Sequence, residues 1–575
     1  MYLRRTVDEL LDTFLPQAPA IALDGAKGVG KTGTALQRAT KVFLLDRPDQ
    51  RALVEADPDG IRRPGTTLLD EWSRMPEVWD PVRREVDNGA GPGSFLLTGS
   101  ATPATAQGTH SGAGRILSLR MRPMALHERG QLVPTVSLTS LLTAEPPCSA
   151  EIEGHTSYCL ADYLDAIAAS GFPGIMGLGP DLRTEQLATY IQRVIDRDLP
   201  DLGYGVRRPE TLRRWLAAYA AASSTTTSYS KLLDTTTCGD GRRPARDTTQ
   251  TYRDHLTQLW LLDPVPGWSP SRSPFTRLQQ APKHQLADPA LAASLLGATA
   301  SSMTTPRHSH LAGPLFEALA TLTVRVAAEA ARARVGHLRT RNGDHEIDLI
   351  AETRDGRIVA IEVKLAASVT DPDVQHLVWL RSRLPEDVSD LVILTTGTTA
   401  YRRRDGVAVI PLALLGPQAH RITPPSRAPA QPSSITTPGS FLASHQRACR
   451  SDTQRQANLR DRSQRNDDLH HSKSAVSPSV TSYLDALARL FLILHVRPWE
   501  TRLAKQEIGR VKVSALGFGS AAWLCDASAC AVRSGRPQGP GRQRVSLNST
   551  WRRMMGSYLR SEIRSGSLRR FFRVT

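Results

Sequence analysis

Gly25-Ala26-Lys27-Gly28-Val29-Gly30-Lys31-Thr32 fits GxxxxGK[ST] at every fixed position. In that pattern the backbone of Gly25, Gly28, Val29 and Gly30 can wrap a phosphate chain, because glycine lets amides approach an anion with no side chain in the way. Lys31 would neutralise the β and γ phosphates, and Thr32 would hold Mg²⁺. A glycine-rich turn would explain the glycines but not the lysine. Of the 72 basic residues only nine are lysines, so an ammonium here stands out against the prevailing arginine. The chemistry implied is ATP binding, with ATP and Mg²⁺ as cofactors.

About 40 residues further on, Thr67-Leu68-Leu69-Asp70-Glu71 is an apolar run that ends in two carboxylates. Asp70 can reach Mg²⁺ through water and Glu71 can polarise the attacking water. The next apolar run ends Leu97-Thr98-Gly99-Ser100, where a small hydroxyl can orient the lytic water. Lys31, Glu71 and Ser100 are therefore the candidate catalytic residues, and Thr32 and Asp70 the candidate metal ligands. Arg115, in His110-Ser111-Gly112-Ala113-Gly114-Arg115, could reach a phosphate as an arginine finger or sensor, and could equally lie on the surface.

A second constellation stands far downstream. Asp348, then thirteen residues, then Glu362 and Lys364 read D-x13-E-x-K, with Glu317 on the preceding helical pattern. Acids on a β-hairpin with a nearby lysine can bind one or two Mg²⁺ and orient water for phosphodiester attack. Alternation places Glu362 and Lys364 on one strand face. A catalytic site requires Asp348, Glu362 and Lys364 to converge, and we expect that they do. The same residues also suit a binding scaffold without catalysis.

The elements that must position these groups follow from periodicity. Short apolar runs at 20–24, 41–46, 66–70 and 95–98, with a helical pattern at 75–86, predict a parallel sheet covered by helices, and 117–121 can add an edge strand. Residues 131–158 lack strong periodicity and read as a linker. Between 159 and 300 the pattern is mainly helical, and the order helix, short helix, longer helix and apolar segment 259–268 suits a winged helix-turn-helix. A helix at 315–331 and strand runs at 335–341, 346–351, 357–364 and 388–395, with a helix at 372–384, form a further α/β unit.

At 575 residues the chain is too long for one domain. Six scattered cysteines without a CxxC pair argue against a disulfide framework or structural zinc. The first residues turn acidic where a signal peptide needs an apolar run, and 487–496 is too short to span a membrane, so we expect a soluble, cytoplasmic protein. The net charge of +16 resides in residues 426–575, with 25 basic and 9 acidic residues; residues 1–425 carry 47 of each. Bulk charge does not mark the first three quarters as a polyanion surface. Residues 423–575, rich in Ser, Pro, Thr, Gln and Arg at their start, read as a low-complexity, poorly structured tail dispensable for nucleotide binding.

Together GAKGVGKT, LLDEWSRMPEVWDPVRREVD, FLLTGSATP, HSGAGRI, the RPMALHERG run, SGFPG, YIQRVIDRDL, EIDLI and AIEVK resemble prokaryotic AAA-type ATPases with a C-terminal domain of unknown function. The resemblance covers residues 1–417. It implies an α/β protein with a P-loop ATPase domain at 1–135, a winged-helix-like region at 159–300 and a restriction-endonuclease-like module at 311–417. The family usually has an arginine where Lys27 stands, and KTTL where this chain has Lys31-Thr32-Gly33-Thr34. It implies ATP hydrolysis that moves the C-terminal modules, and leaves DNA as a partner and homo-oligomer formation open. The alternatives are an ATP-gated nuclease and an ATP-switched regulator whose nuclease-like domain is inert.

Overall fold

The computed structural model describes residues 2–100, 113–130, 132–145, 150, 152–236, 245–270, 280–340 and 343–418, and two short strands beyond them. Five parallel strands form the first sheet: β1 (Ala20–Asp24), β2 (Lys41–Leu44), β3 (Thr67–Asp70), β4 (Phe95–Gly99) and β5 (Ile116–Arg120), in the order β2-β3-β4-β1-β5. Their apolar runs are buried on both faces. Ile21, Leu23, Leu68 and Leu96 enter one core and Ala20, Ala22, Leu69 and Leu97 the other, as a helix-covered parallel sheet requires. Since the strands run one way, the loop after β1 and the ends of β3 and β4 share one edge of the sheet.

Local chemistry explains where elements differ from the sequence reading. The helix expected from residue 75 begins only at Trp79, because Met75 leaves the helical region (φ −143°, ψ 71°) ahead of Pro76, and short 3₁₀ turns occupy 72–74 and 76–78. Helix α1 (Thr6–Phe14) precedes the sheet, α2 (Lys31–Leu36) follows the glycine loop, α3 (Pro48–Ala56) follows β2, and α4 (Trp79–Asp87) precedes β4.

Where it is described, the expected linker at 131–158 is instead packed structure. Strand β6 (Val136–Ser137), helix α5 (Leu138–Thr143) and strand β7 (Gly154–His155) lie there, with Leu138, Leu141 and Leu142 buried. Two-residue ladders are too short to leave a periodic signal, which is why the segment reads as unstructured. The middle region carries α6 (Leu160–Ala169), α7 (Pro173–Met176), α8 (Pro180–Arg193), a π-helical turn (Val194–Asp198), α9 (Leu199–Asp201), α10 (Pro209–Ala221), α11 (Tyr229–Thr236) and α12 (Arg246–Gln258). Antiparallel bridges Leu262–Leu286 and Val265–Lys283 follow, with β8 (Gly267–Trp268) between them in sequence and then α13 (Pro289–Leu295).

Helix α14 (Ser309–Ala330) leads into β9 (Arg334–Arg339), β10 (Glu346–Glu352), β11 (Ile358–Val363), α15 (Asp371–Arg383), β12 (Val388–Thr395), β13 (Thr399–Arg402), β14 (Ala408–Pro411) and β15 (Leu415–Gly416). The second sheet has the order β7-β13-β14-β12-β11-β10-β9-β8. Its outer positions are thus filled by β7 and β8 from earlier in the chain, which covers edges that would otherwise offer unpaired backbone. Helix α14 is long and apolar enough to cross a membrane, but 78% of its most apolar window is buried inside the protein; it is a core helix. Met1–Ser271 and Phe275–Arg421 form one compact unit. Within the expected tail, β16 (Ile493–Val496) pairs antiparallel with β17 (Lys512–Ala515); the rest of that expectation lies outside the described residues.

Candidate functional site

The loop from Gly25 to Gly30 closes tightly over the end of β1. A Cβ on Gly25 would stand 2.2 Å from the Met121 carbonyl oxygen, and Gly30 has φ +103°, so neither position accepts a side chain without strain. Lys31 opens α2, is 5% exposed, and donates to the Gly25 and Ala26 carbonyls at 2.8 and 2.9 Å. Its ammonium therefore lies folded under the loop that the sequence assigns to phosphate. Burial pushes the Lys31 ammonium down to about 8, against the pull of Glu71, Asp70 and Asp24. Asp24, at the end of β1, escaped the sequence reading. Burial raises its carboxyl despite a hydrogen bond from Ser118 and the charge of Lys31.

The carboxylates of β3 meet this loop directly. Thr32 Oγ1 donates to Asp70 Oδ1 at 2.7 Å, and Thr98 Oγ1 donates to the same oxygen at 2.5 Å. The Thr98 hydroxyl also accepts the Glu71 N–H at 3.2 Å, and Ser100 Oγ donates to Glu71 Oε2 at 3.1 Å. Glu71 has φ 54° and ψ 45°. A non-glycine residue in this left-handed region costs about 1 kcal/mol or more, and such strain concentrates at functional positions. Thr98 and Ser100, from the next strand end, hold that conformation. Thr98 is a further member of the site; its signal was its place one turn of the pleat before Ser100.

Arg115 takes the surface alternative. Its Nε lies 3.0 Å from Asp87 Oδ1, with both side chains well exposed, and residues 110–112 of its motif lie outside the described residues.

The loop is braced from outside the P-loop sheet by residues to which the sequence reading assigned no chemistry. Arg5 donates to the Val29 carbonyl at 2.9 Å and pairs with Glu128 at 3.0 Å, with both side chains buried. Glu128 in turn accepts the Thr6 N–H at 2.7 Å, so the RPMALHERG run anchors α1 beneath the loop. Phe172 and Pro173 of SGFPG lie within 4 Å of a Cβ placed on Gly28 and Gly30 respectively. Lys27 pairs with Asp198 at the end of the π-helical turn, Tyr190 donates to the Lys27 carbonyl at 3.2 Å, and Arg74 pairs with Asp201 at 3.0 Å. The middle region is thereby wired to both the glycine loop and the segment after Glu71.

The depressed Lys31 ammonium has a measurable consequence. Bound phosphate would favour its charged form, so ATP binding should take up a proton above pH 8. Affinity should be flat below about pH 8 and fall as pH rises beyond it, approaching tenfold per pH unit. Titration calorimetry in buffers of different ionisation enthalpy reads this directly; an affinity constant from pH 7 to 9.5 with no proton uptake would contradict it.

Asp348, Glu362 and Lys364 come together, with Glu317 of α14. Lys364 Nζ lies 3.3 Å from Glu362 Oε2, Asp348 Oδ2 accepts the Val363 N–H at 2.9 Å, and Asp348 and Glu362 share a hydrogen bond. A register shift in β10 between Ile347 and Ile350, beside β9, brackets Asp348, and such bulges re-aim side chains. Sequence reasoning missed Lys283, which is buried and donates to Glu317 Oε1 at 2.9 Å and to Asp348 Oδ1 at 2.8 Å. Burial raises the Glu317 and Glu362 carboxyls, reinforced by Asp348. Burial would raise Asp348 too, but Lys283 beside it, together with hydrogen bonds from the Val363 N–H and Glu362, outweighs that and holds it below the usual carboxylate range. Among the described residues no group of three or more His, Cys, Asp or Glu side chains is arranged to hold a metal ion.

Comparison with known proteins agrees with the P-loop geometry. Residues 17–129 match the family model of an AAA domain. Residues 160–302 and 312–415 match two domains of unknown function, DUF8612 and DUF4143. The uncharacterized proteins Rv2008c of Mycobacterium tuberculosis and Mb2031c of Mycobacterium bovis are each 24% identical over 422 residues, 71% of this chain and 83% of theirs. Among solved structures, the Walker-type ATPase PABY2304 of Pyrococcus abyssi is similar at 13% identity and a TM-score of 0.32, covering 51% of this chain and 96% of that one. By the family model and the geometry of its glycine loop, residues 17–129 are an AAA-like, ATP-binding P-loop domain.

Proposed function

We propose that this chain, built on an AAA-like P-loop domain, hydrolyses ATP with Mg²⁺ and passes the change at the nucleotide to its middle region. The observation that carries the reading is the hydrogen-bonded set Thr32, Asp70, Thr98, Glu71 and Ser100 at one strand edge beside Lys31. Thr32 and Asp70 offer two hard oxygens 2.7 Å apart, a donor set that suits Mg²⁺. When bound, the ion would neutralise charge developing on the β and γ phosphate oxygens. Lys31 would leave the Gly25 and Ala26 carbonyls for the phosphates. Glu71 accepts the proton of the attacking water, while the Ser100 hydroxyl keeps the Glu71 carboxylate aimed.

Coupling to the rest of the molecule runs through Lys27 and Asp198 and through Arg74 and Asp201. Both pairs end on the π-helical turn and α9, so a shift of the loop or of the segment after Glu71 is felt by the same short element. The polymer acted on, if any, is tested by the ATPase rate of the purified protein alone, with single-stranded DNA and with double-stranded DNA. Turnover that disappears with chelation of Mg²⁺ supports the reading, and stimulation by either DNA makes that DNA the partner. Absence of turnover under every condition would leave a nucleotide-binding switch.

A further inference from the structure

The carboxylates gathered on the second sheet already have a cation. Lys283 Nζ lies 2.9 Å from Glu317, 2.8 Å from Asp348 and 3.7 Å from Glu346, and its side chain is 1% exposed. The lysine reaches this point from a different part of the chain, 34 residues before Glu317 and 65 before Asp348. We propose that the Lys283 ammonium is a built-in counter-ion that takes the place of a divalent metal among Glu317, Asp348 and Glu362, and that it closes this site to Mg²⁺ and Mn²⁺.

Three observations support the assignment. The backbone of Lys283 is fixed in both directions, its N–H donating to the Val265 carbonyl and its carbonyl accepting the Val265 N–H, each at 2.9 Å. The side chain therefore starts from a backbone held by a two-hydrogen-bond bridge. Both oxygens of Asp348 are engaged, one by Lys283 and the other by the Val363 N–H, so an entering ion would have to displace an ammonium from a buried ion pair. Cations already face the acids on both sides: the Lys283 ammonium lies against Glu317, Glu346 and Asp348, and Lys364 Nζ lies 3.3 Å from Glu362 Oε2.

The consequence is that D-x13-E-x-K in this chain marks a scaffold, not a phosphodiesterase. That consequence rests on reading these residues as a nuclease-type arrangement, whereas the ion pairs do not; nor does anything here depend on ATP hydrolysis. An ammonium supplies one charge and no open coordination position, so it cannot polarise a phosphate and activate water together as a divalent ion does.

The test counts Mn²⁺ bound to the full chain without nucleotide, by electron paramagnetic resonance, in four forms: wild type, Asp348→Asn, Lys283→Met, and Lys283→Met with Asp348→Asn. Any Mn²⁺ held near Thr32 and Asp70 is common to all four and cancels. Wild type and Asp348→Asn should bind equal numbers of Mn²⁺. Lys283→Met should gain one equivalent, and the double variant should lose it. The proposal is overturned if Asp348→Asn costs the wild-type chain one Mn²⁺, if folded Lys283→Met gains none, or if the gain survives loss of Asp348. Should Lys283→Met fail to fold, the comparison of wild type with Asp348→Asn still decides. Mg²⁺- or Mn²⁺-dependent DNA cleavage by the wild type, lost in Asp348→Asn and retained in Lys31→Ala, would overturn the scaffold reading by itself.

Discussion

Lys31→Ala is expected to weaken ATP binding by about a hundredfold or more, while Glu71→Gln keeps near wild-type affinity and loses two to four orders of magnitude in turnover. The two substitutions remove different things. Lys31 supplies an ammonium at the closed end of the glycine loop, where it is buried against the Gly25 and Ala26 carbonyls. Without it the phosphates would meet the carboxylates of Asp24, Asp70 and Glu71 with one compensating charge fewer, and a hundredfold loss corresponds to about 2.8 kcal/mol. Gln at 71 keeps the side-chain length and can accept the Ser100 hydrogen bond seen at 3.1 Å, but it cannot take a proton from water. Equilibrium binding of a fluorescent ATP analogue, set beside steady-state phosphate release, separates the two effects. Equal ATP affinity in wild type and Lys31→Ala would sink the P-loop assignment.

Asp263→Ala should cost roughly 3–5 kcal/mol of stability, because it removes the anion shared by three arginines and leaves the largely buried charges of Arg120 and Arg325 without their carboxylate partner. Arg120, Arg122 and Arg325 approach the Asp263 carboxylate at 2.9, 2.7 and 2.6 Å, and the Asp263 side chain is 6% exposed. Arg122 also pairs with Glu329, which cannot satisfy the other two. Burial alone would raise the Asp263 carboxyl, but Arg122, Arg325 and Arg120 outweigh it and hold it far below the usual carboxylate range. A depressed carboxyl contributes stability that is complete above the ordinary aspartate range and is lost as pH falls through and below it. The wild type should therefore lose this contribution progressively as pH falls through and below the ordinary aspartate range, and Asp263→Ala should flatten the acid limb of the stability curve.

These arginines stand at the end of β5, just beyond it and on α14, so the cluster joins the P-loop sheet, the middle region and the C-terminal helix. One apolar core also runs through all three, from Leu11 to Trp215 to Val392. Urea unfolding followed by tryptophan fluorescence should show a single transition that shifts to lower urea in Asp263→Ala. A shift of under about 0.5 kcal/mol would mean that the arginines re-solvate and that the cluster is not the junction described.

What the sequence by itself determined was local. The glycine loop, the acids at the end of Thr67–Asp70 and the hydroxyls after Phe95 each sit at the end of an apolar run, and parallel strands bring such ends to one edge whatever else the chain does. The pattern Asp348, Glu362 and Lys364 was legible for the same reason, being carried on neighbouring strands of a hairpin. The tertiary structure alone decided which distant groups complete or close these sites. Asp198 on Lys27 lies 171 residues away, Glu128 on Arg5 lies 123 away, and Lys283 enters the second cluster from a bridge outside its hairpin. Strands β7 and β8 join the second sheet as two-residue ladders, and Asp263 gathers arginines from three segments. Periodicity reports which face of an element is apolar, over a window of one element. A lone buried ion pair between remote residues leaves no period, and its existence depends on how whole elements pack.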